Sequence, residues 1–184
     1  MAGWVVEGDV LKILPGNEGG DIVSREQFAD FELVVEFKLT DSANTGIKYF
    51  VSPLENEKGD TVLNGPEYQL IDDYNHESVK GGISPETSTA SVYLLYGPEE
   101  KELYEAGRWN EARIVAKDGH VEHWLNGKKV LDYHRGSPDF RARVANTKFS
   151  EYRTPFGESA YGYILLQDHN DEAHFRNIRI RRFE

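Results

Sequence analysis

The chain has 184 residues, no cysteine and a formal net charge of −11, with 32 acidic against 21 basic residues. This balance argues against nucleic acid and anionic membrane surfaces as partners, and the lack of cysteine excludes disulfides, thiolate metal sites and cysteine nucleophiles. A hydrophobic fraction of 39%, with no apolar run near the roughly 18 residues that span a bilayer, predicts a single domain over residues 1–184 without membrane insertion.

The chain is dominated by short segments with the period of a β-strand. The clearest is Phe31–Leu39, in which every second residue is apolar and most of the others are polar, as in a strand with one buried face. About ten similar runs lie at residues 9–14, 20–24, 45–52, 67–72, 91–96, 112–117, 120–126, 129–133, 161–167 and 173–181. This pattern predicts an all-β sandwich or jelly roll.

Two dipeptides mark tight turns in the second half of the chain. Asp118-Gly119 and Asn126-Gly127 each stand between two strand-like runs. Because Asp-Gly and Asn-Gly are the strongest short-range signals for a β-hairpin, residues 112–133 are predicted to form a three-stranded meander.

One segment favours a helix, and two favour long loops. At residues 137–147, Ser137 can cap a helix and Pro138 suits its first turn, while one face carries Phe140, Val144 and Thr147. Residues 53–66 and 74–90 are rich in Gly, Pro, Asn, Glu and Ser and are predicted as long loops. Functional sites often lie on such loops.

The first group of candidate functional residues lies in the run 67–72. Strand alternation places Glu67, Gln69 and Ile71 on one face, so that a carboxylate and an amide point away from the sheet together. Asp72 follows at the end of this strand, with Asp73 and His76 after it. The alternative is a solvated strand edge followed by an acidic loop.

The second group lies near the C-terminus. Gln167 and His169 share a face if the strand continues that far, and histidine titrates in the range suited to acid-base catalysis. Further along, His174 and Arg176 share a face, where the guanidinium could bind an oxyanion or pair with a carboxylate. The alternative for Gln167 and His169 is a polar hairpin turn.

Metal and sugar stacking give two further hypotheses. Oxygen ligands for a divalent cation such as calcium could come from Asp72, Asp73, Asp168, Asp171 and Glu172, although no metal-binding motif of fixed spacing is present. Aromatic side chains that could stack on a sugar are Trp109, Trp124, Tyr49 and Tyr93, although aromatic residues of this kind more often belong to the core. The motifs of serine hydrolases, NTPases and dinucleotide-binding enzymes are absent from the sequence.

Eight short motifs occur in an order that resembles one known family. They begin at Gly20, Asp30, Asn44, Gly65, Trp109, His123, Gln167 and Phe175, and read GDIVS, DFEL, NTGI, GPEYQ, WNEAR, HWLNG, QDH and FRNI. The chain resembles the 3-keto-disaccharide hydrolase domain family from about Trp4 to its end. The resemblance implies a concanavalin A-like jelly roll of two antiparallel sheets, with one short surface helix.

The same resemblance implies a bacterial, periplasmic or secreted protein that acts on a disaccharide or other glycoside. Residues 1–16 lack the layout of an export signal, which we expect to have been removed. A ketone at carbon 3 of a sugar acidifies the proton on carbon 2, so a base can form an enolate that expels the substituent on carbon 1. No strong nucleophile is then needed, and a divalent cation such as calcium is the one cofactor considered.

On this hypothesis Glu67 and His169 have acid-base roles, and Gln69, Gln167, Arg176 or a metal ion hold the substrate and the enolate. The remaining predicted substrate-binding residues are Asn44, Asp72 and Trp124. A conventional glycosidase, with Glu67 paired to Asp72 or Asp168, is one alternative. A noncatalytic carbohydrate-binding module is the other, because the fold alone does not determine function. The oligomeric state stays open.

Overall fold

The computed structural model describes residues 3–16, 19–79 and 81–183. These residues form twelve strands and one α-helix, with three short 3₁₀ turns. The strands are β1 (Trp4–Glu7), β2 (Val10–Ile13), β3 (Ile22–Val23), β4 (Phe31–Leu39), β5 (Asn44–Glu55), β6 (Thr61–Asn64), β7 (Glu67–Ile71), β8 (Asn110–Lys117), β9 (His120–Leu125), β10 (Lys128–His134), β11 (Tyr163–Leu166) and β12 (Ala173–Arg182), and the helix is α1 (Pro138–Ala145).

The strands form two antiparallel sheets. One has seven strands in the order β1-β2-β12-β4-β8-β9-β10, and the other joins β3, β11, β5 and β6, with β7 also paired to β5. Buried apolar residues from both sheets, such as Phe37 of β4 and Ile47 of β5, belong to one hydrophobic cluster. The predicted jelly-roll sandwich with one short helix is confirmed.

Local sequence signals explain much of this structure. Burial alternates without exception along β4, from Phe31 to Leu39. Asp118-Gly119 and Asn126-Gly127 both have positive φ at their two residues, which is the backbone of a type I′ hairpin turn, and the predicted meander follows as β8, β9 and β10.

Helix α1 begins where the capping signal places it. The Ser137 Oγ accepts a hydrogen bond from the Phe140 N–H at 3.1 Å, and Phe140 is fully buried. The helix ends at Ala145, two residues before the predicted end, because Thr147 caps a separate 3₁₀ turn instead.

The predicted loop 53–66 is wrong. β5 continues to Glu55 and pairs with β6, so a tight hairpin replaces most of the loop. β6 and β7 lie end to end along the same edge of β5, separated by Gly65 and Pro66. A Cβ at Gly65 would lie 2.5 Å from the Tyr49 carbonyl oxygen, so the chain can pass this close to β5 only with glycine there.

The predicted strand 91–96 is also wrong. Val92 forms isolated bridges with Tyr68 and with Tyr96, and the chain turns back on itself between them. The turn requires a positive φ of 65° at Leu94, which ends the extended conformation that the alternating pattern suggested. The predicted loop 74–90 contains short 3₁₀ turns at Glu77–Val79 and Pro85–Thr87, and its Lys80 lies outside the described residues.

Candidate functional site

A pocket of about 150 Å³ lies on the face of the five-stranded sheet that points away from the core. Its floor is formed by β5, where Asn44, Gly46 and Lys48 alternate with the inward-facing Thr45 and Ile47. The lining residues come from β5, β6, β7 and three segments outside the strands, and are Asn44, Lys48, Asn64, Glu67, Gln69, Tyr93, Lys148, Phe149, Gln167 and His169.

Strand register brings the floor residues together. In the antiparallel pair β5-β7, Glu67 stands opposite Lys48, and Gln69 opposite Gly46. On the other side of β5, the Gln167 N–H donates to the Gly46 carbonyl oxygen at 3.0 Å. Two sequence motifs that are a hundred residues apart therefore meet at the glycine of β5.

The Glu67 side chain occupies space that is free because residue 46 has no side chain. A Cβ at position 46 would be 2.8 Å from Glu67 Cδ and 2.9 Å from its Cγ, closer than real side chains approach. The carboxylate thus lies across the centre of the pocket floor, supported by backbone rather than by another side chain.

Glu67 is a buried carboxyl group with only 8% of its surface exposed. Burial raises its pKa to about 7, and Asp21 adds to this, whereas the ammonium groups of Lys48 and Lys148 act in the opposite direction. The Lys48 Nζ lies 3.9 Å from Glu67 Oε2 and donates to Asn64 Oδ1 at 3.2 Å. Glu67 can therefore take up and release a proton near neutral pH.

Gln69 fixes the other oxygen of this carboxylate. In the amide orientation that satisfies its neighbours, the Gln69 side-chain nitrogen donates to Glu67 Oε1 at 3.0 Å and to the Thr45 carbonyl oxygen at 3.1 Å. Gln69 is itself buried. Its position suits holding Glu67 in place more than binding a ligand directly.

The wall opposite the floor comes from two irregular segments. The Tyr93 N–H donates to the Glu67 carbonyl oxygen at 3.0 Å, which attaches the 88–96 segment to β7. The Thr147 Oγ1 accepts from the Phe149 N–H at 3.2 Å and so caps the 3₁₀ turn that carries Lys148. The Lys148 Nζ lies 5.1 Å from the centroid of the Tyr93 ring.

Two hydrogen-bond acceptors in the pocket lack a donor among the described residues. Within the described part of the chain, the buried oxygens Asn44 Oδ1 and Gln167 Oε1 have no hydrogen-bond partner. Buried polar atoms are usually paired, so such oxygens mark a place where a ligand or water can donate. Sugar hydroxyl groups are donors of this kind.

His169 lies at the rim of the pocket. β11 ends at Leu166, so Gln167 and His169 lie in the segment that follows the strand, and both line the pocket. His169 is exposed to solvent, whereas Gln167 is partly buried. The structure thus brings Asn44, Glu67, Gln69, Gln167 and His169 together in one pocket.

Asp72 has a different environment. Its carboxylate accepts hydrogen bonds from the backbone N–H groups of Ser42, Tyr74 and Asn75, and from the Asn75 side chain. Burial raises the pKa of Asp72, but these hydrogen bonds outweigh burial and the net shift is downward. Asp72 organises the turn after β7 and does not line the pocket.

Trp124 and Arg176 lie outside the pocket, on the seven-stranded sheet. The Trp124 ring stacks with the guanidinium of Arg113, at 4.8 Å from its centroid. The Arg176 Nε donates to Glu36 Oε2 at 2.7 Å, and its guanidinium lies 4.0 Å from the Trp109 ring centroid. Alternation along β9 and β12 places both side chains on the face opposite the buried His123 and Phe175.

The sequence reasoning did not assign Lys48, Asn64, Lys148 or Phe149 to the site. The alternation in β5 could have found Lys48, because it continues the row of Asn44 and Gly46. No local signal pointed to Lys148 and Phe149, whose position depends on where α1 ends. Of the predicted stacking residues, Tyr93 lines the pocket and Tyr49 is fully buried in the core.

A larger and more open cleft of about 730 Å³ borders the edge strand β10. Its charged side chains are largely paired with each other, for example Lys128 with Glu100 and Lys129 with Asp132. Such mutual pairing leaves few groups for chemistry. The smaller pocket has a buried carboxyl group of raised pKa and two acceptors that have no partner in the described ranges, and it is the better candidate for a reaction site.

The described residues also bear on metal and membrane binding. They contain no cluster of three or more His, Cys, Asp or Glu side chains placed to hold a metal ion. Of the proposed calcium ligands, Asp73 pairs with Lys101 at 2.5 Å, and Asp171 accepts from the Asn44 N–H at 2.9 Å. In the part of the chain that the structure describes, no helix is long and apolar enough to cross a membrane.

The 3-keto-alpha-glucoside-1,2-lyase-like domain family matches residues 1–181. The chain belongs to this family. A Bacteroides thetaiotaomicron protein named 3-keto-disaccharide hydrolase is 30% identical over 201 aligned positions, which cover 97% of this chain and 69% of the relative. The resemblance predicted from the eight motifs is confirmed.

Solved structures agree with this family assignment. A Parabacteroides distasonis protein, whose name proposes a glycosyl hydrolase activity, is 33% identical with a TM-score of 0.84, over 99% of this chain and 84% of that one. A second protein of the same species and kind is 26% identical with a TM-score of 0.73, over 98% and 90% of the two chains. Together with the family, these relatives support an enzyme that acts on glycosides.

Proposed function

We propose that this protein cleaves 3-keto-glycosides by removing the proton on carbon 2 and eliminating the substituent on carbon 1. The observation that carries the proposal is the position of Glu67, whose buried carboxyl group lies over Gly46 with a pKa of about 7. A base that titrates near neutral pH is suited to taking a proton that a neighbouring ketone has acidified. The family and its named relative support the class of substrate.

In the first step the Glu67 carboxylate takes the proton from carbon 2, and the electron pair of the C–H bond forms the carbon 2–carbon 3 double bond of an enolate. The negative charge then lies on the former carbonyl oxygen. In the second step the carbonyl re-forms, a double bond forms between carbons 1 and 2, and the bond from carbon 1 to its substituent breaks. Addition of water to this double bond then gives the free 3-keto sugar, so no oxidant or reductant is needed.

His169 is proposed to protonate the leaving oxygen. It lies at the rim of the pocket, where the substituent on carbon 1 would point towards solvent. Asn44 and Gln167 are proposed to accept hydrogen bonds from sugar hydroxyl groups, because their buried oxygens have no partner among the described residues. Gln69 is proposed to orient Glu67.

A conventional two-carboxylate glycosidase has less support. Among the described residues that line the pocket, Glu67 is the one carboxylate. Asp72 is held by backbone N–H groups, and Asp168 does not line the pocket. Because that mechanism needs two carboxyl groups facing one substrate, the arrangement favours the elimination route.

A noncatalytic binding module is the other alternative. Such a module usually offers an open aromatic face to the sugar. The Tyr93 ring in this pocket faces the Lys148 ammonium, and a buried acid-base group is not required for binding alone. Retention on a polysaccharide gel without any turnover would support the module and exclude the proposed reaction.

The decisive experiment incubates the protein with a 3-keto-glucoside in deuterated water. Proton abstraction predicts deuterium at carbon 2 of the product, which NMR detects. Product without deuterium would count against the elimination route, and cleavage of the ordinary glucoside at a similar rate would support the two-carboxylate glycosidase. Glu67→Gln and His169→Ala are each expected to lower turnover by about 10²-fold or more.

A further inference from the structure

The proposed reaction needs a group that holds negative charge, and Gln69 and Gln167, which were considered for this task and line the pocket, are uncharged. Arg176 pairs with Glu36 on the other sheet, and the described residues form no metal cluster. The developing enolate would be costly in a buried pocket without a nearby cation or strong donor. A cation or strong donor inside the pocket itself would meet this need.

The pocket has two chemically different ends along β5. Asn44, whose Oδ1 has no partner among the described residues, stands at one end, and Lys48 stands four residues away at the other. Since a strand rises about 3.3 Å per residue, the two Cα atoms are about 13 Å apart. The Glu67 carboxylate lies over Gly46, midway between the two ends.

The Lys48 end of the pocket is positively charged, which is unusual in so acidic a protein. The chain carries a net charge of −11, yet the described residues lining the pocket include two lysines and a single carboxyl group. Lys48 is largely buried, with 14% of its side chain exposed, so its charge is weakly screened by water. Lys148 reaches the pocket from the 3₁₀ turn after α1.

The distance between Lys48 and Glu67 suits adjacent atoms of one substrate. In the 3-keto sugar, the proton to be removed and the carbonyl oxygen belong to neighbouring carbons, so the base and the cation must face them from nearby positions. The Lys48 Nζ lies 3.9 Å from Glu67 Oε2, which is longer than a direct hydrogen bond of about 2.7–3.2 Å. An ammonium group has three donors, and Asn64 takes one of them.

We propose that Lys48, assisted by Lys148, binds the carbonyl oxygen of the 3-keto sugar and stabilises the enolate charge on it. The inference rests on the proposed function and adds the orientation of the sugar in the pocket. The ketone points to the Lys48 end of β5, the proton on carbon 2 lies over Glu67, and hydroxyl groups point to Asn44 and Gln167. Lys48 is then a catalytic residue, because it touches an atom that changes charge.

The test must separate this role from an indirect one, in which Lys48 only tunes Glu67. The charged and titratable groups that face Glu67 are Lys48 on β5, Lys148 on the 3₁₀ turn, Tyr93, His169 and Asp21 before β3. Removing Lys48 will raise the pKa of Glu67 further, because one cation that favours the carboxylate is lost. Because the pKa of Glu67 is about 7 in the wild type, an indirect role of Lys48 predicts a loss of activity that shrinks as pH rises to 9 and above.

The experiment measures kcat and KM for a p-nitrophenyl 3-keto-glucoside from pH 5.5 to 9.5, together with deuterium uptake at carbon 2. Lys48→Met is expected to lower kcat by about 10²-fold at every pH, including pH 9, and Lys48→Arg to recover part of the loss. Lys148→Met is expected to have a smaller effect in the same direction. Lys117→Met, at an exposed lysine on the other sheet, is the matched control and should behave as the wild type.

Each outcome has a distinct meaning. Recovery of the wild-type kcat by Lys48→Met at pH 9 would overturn the inference and leave the proposed function intact. A wild-type protein that neither releases p-nitrophenolate nor takes up deuterium would overturn both. If Lys48→Met fails to fold, as judged by thermal melting, Lys148→Met decides, because that exposed side chain can be replaced without disturbing β5. Unchanged kcat at all pH values in Lys148→Met would then count against the inference.

Discussion

The carboxylate of Glu67 lies across Gly46 on the neighbouring strand, in the volume that any larger residue at position 46 would fill. This contact joins the strand that carries the acid-base group to the strand that carries Asn44 and Lys48. The reaction site is thus assembled by cross-strand packing, and it should respond to changes that never touch a substrate.

Gly46→Ala is expected to lower activity by at least tenfold, because the new methyl group must displace the Glu67 side chain by more than a few tenths of an ångström. The matched test is a double-mutant cycle with Glu67→Asp, which shortens the side chain that the new methyl group would contact. Thermal melting should show that Gly46→Ala costs less stability in the Glu67→Asp background than in the wild type. An equal loss of stability on Gly46→Ala in both backgrounds would contradict the proposed contact.

Glu67→Gln is expected to stabilise the protein at alkaline pH while it lowers turnover by about 10²-fold or more. The pKa of Glu67 is about 7 in the folded protein against an ordinary value of 4.5, so the folded state holds one more proton than the unfolded state between these values. Its contribution to stability is therefore present below pH 4.5 and lost as pH rises through 7, by at most about 3 kcal/mol. Urea unfolding at pH 4 and pH 8 measures the effect, which should appear only at pH 8.

His123 predicts the opposite pH dependence. It is fully buried, and burial lowers its pKa to about 3, against an ordinary value of 6.5. The unfolded state therefore binds the extra proton between pH 3 and 6.5, so stability falls as pH drops through this range. His123 bonds through its two nitrogens with Tyr49 Oη at 2.8 Å and with the Ala90 carbonyl oxygen at 2.9 Å.

The test for His123 compares the slope of unfolding free energy against pH in Glu67→Gln and in Glu67→Gln/His123→Gln. The first substitution removes the opposing contribution of Glu67 from the same pH range. The double variant should have a flatter slope between pH 4 and 6, even if it is less stable at every pH. Parallel slopes would show that His123 does not hold this lowered pKa.

Trp124→Ala and Arg176→Ala are expected to change kcat and KM by no more than about twofold, because both side chains lie on the other sheet and away from the pocket. This contradicts the roles that the sequence first suggested for them. Steady-state kinetics on a 3-keto-glucoside are sufficient to check it. A loss of tenfold or more in either variant would mean that the substrate contacts the seven-stranded sheet.

The fold was predictable because its signals are local. Alternation in β4 and the Asp-Gly and Asn-Gly turns need no long-range information, and the Ser137 cap likewise depends on residues within one turn. The segment 91–96 failed for the opposite reason. Its alternation is that of a strand, but Leu94 adopts a positive φ that only the surrounding structure can impose.

The site was predictable in part. Glu67 and Gln69 share a face because they are two residues apart on one strand. Gln167 and His169 also line the pocket, although β11 ends at Leu166, before both of them. Alternation also placed His174 and Arg176 on the same face of β12, but it could not tell to which sheet β12 belongs. Lys148 was beyond local reasoning, since it reaches the pocket through the turn that Thr147 caps.

The position of the site on β5 limits how the sequence of this strand can change. Successive residues of β5 serve opposite faces, with Ile47 in the core and Lys48 in the pocket. A shift of one residue in the pairing would exchange the two faces, placing an ammonium group in the hydrophobic interior and an isoleucine beside Glu67. Insertions or deletions of a single residue between Asn44 and Lys48 should therefore abolish folding and chemistry together, whereas many point substitutions would affect only one of them.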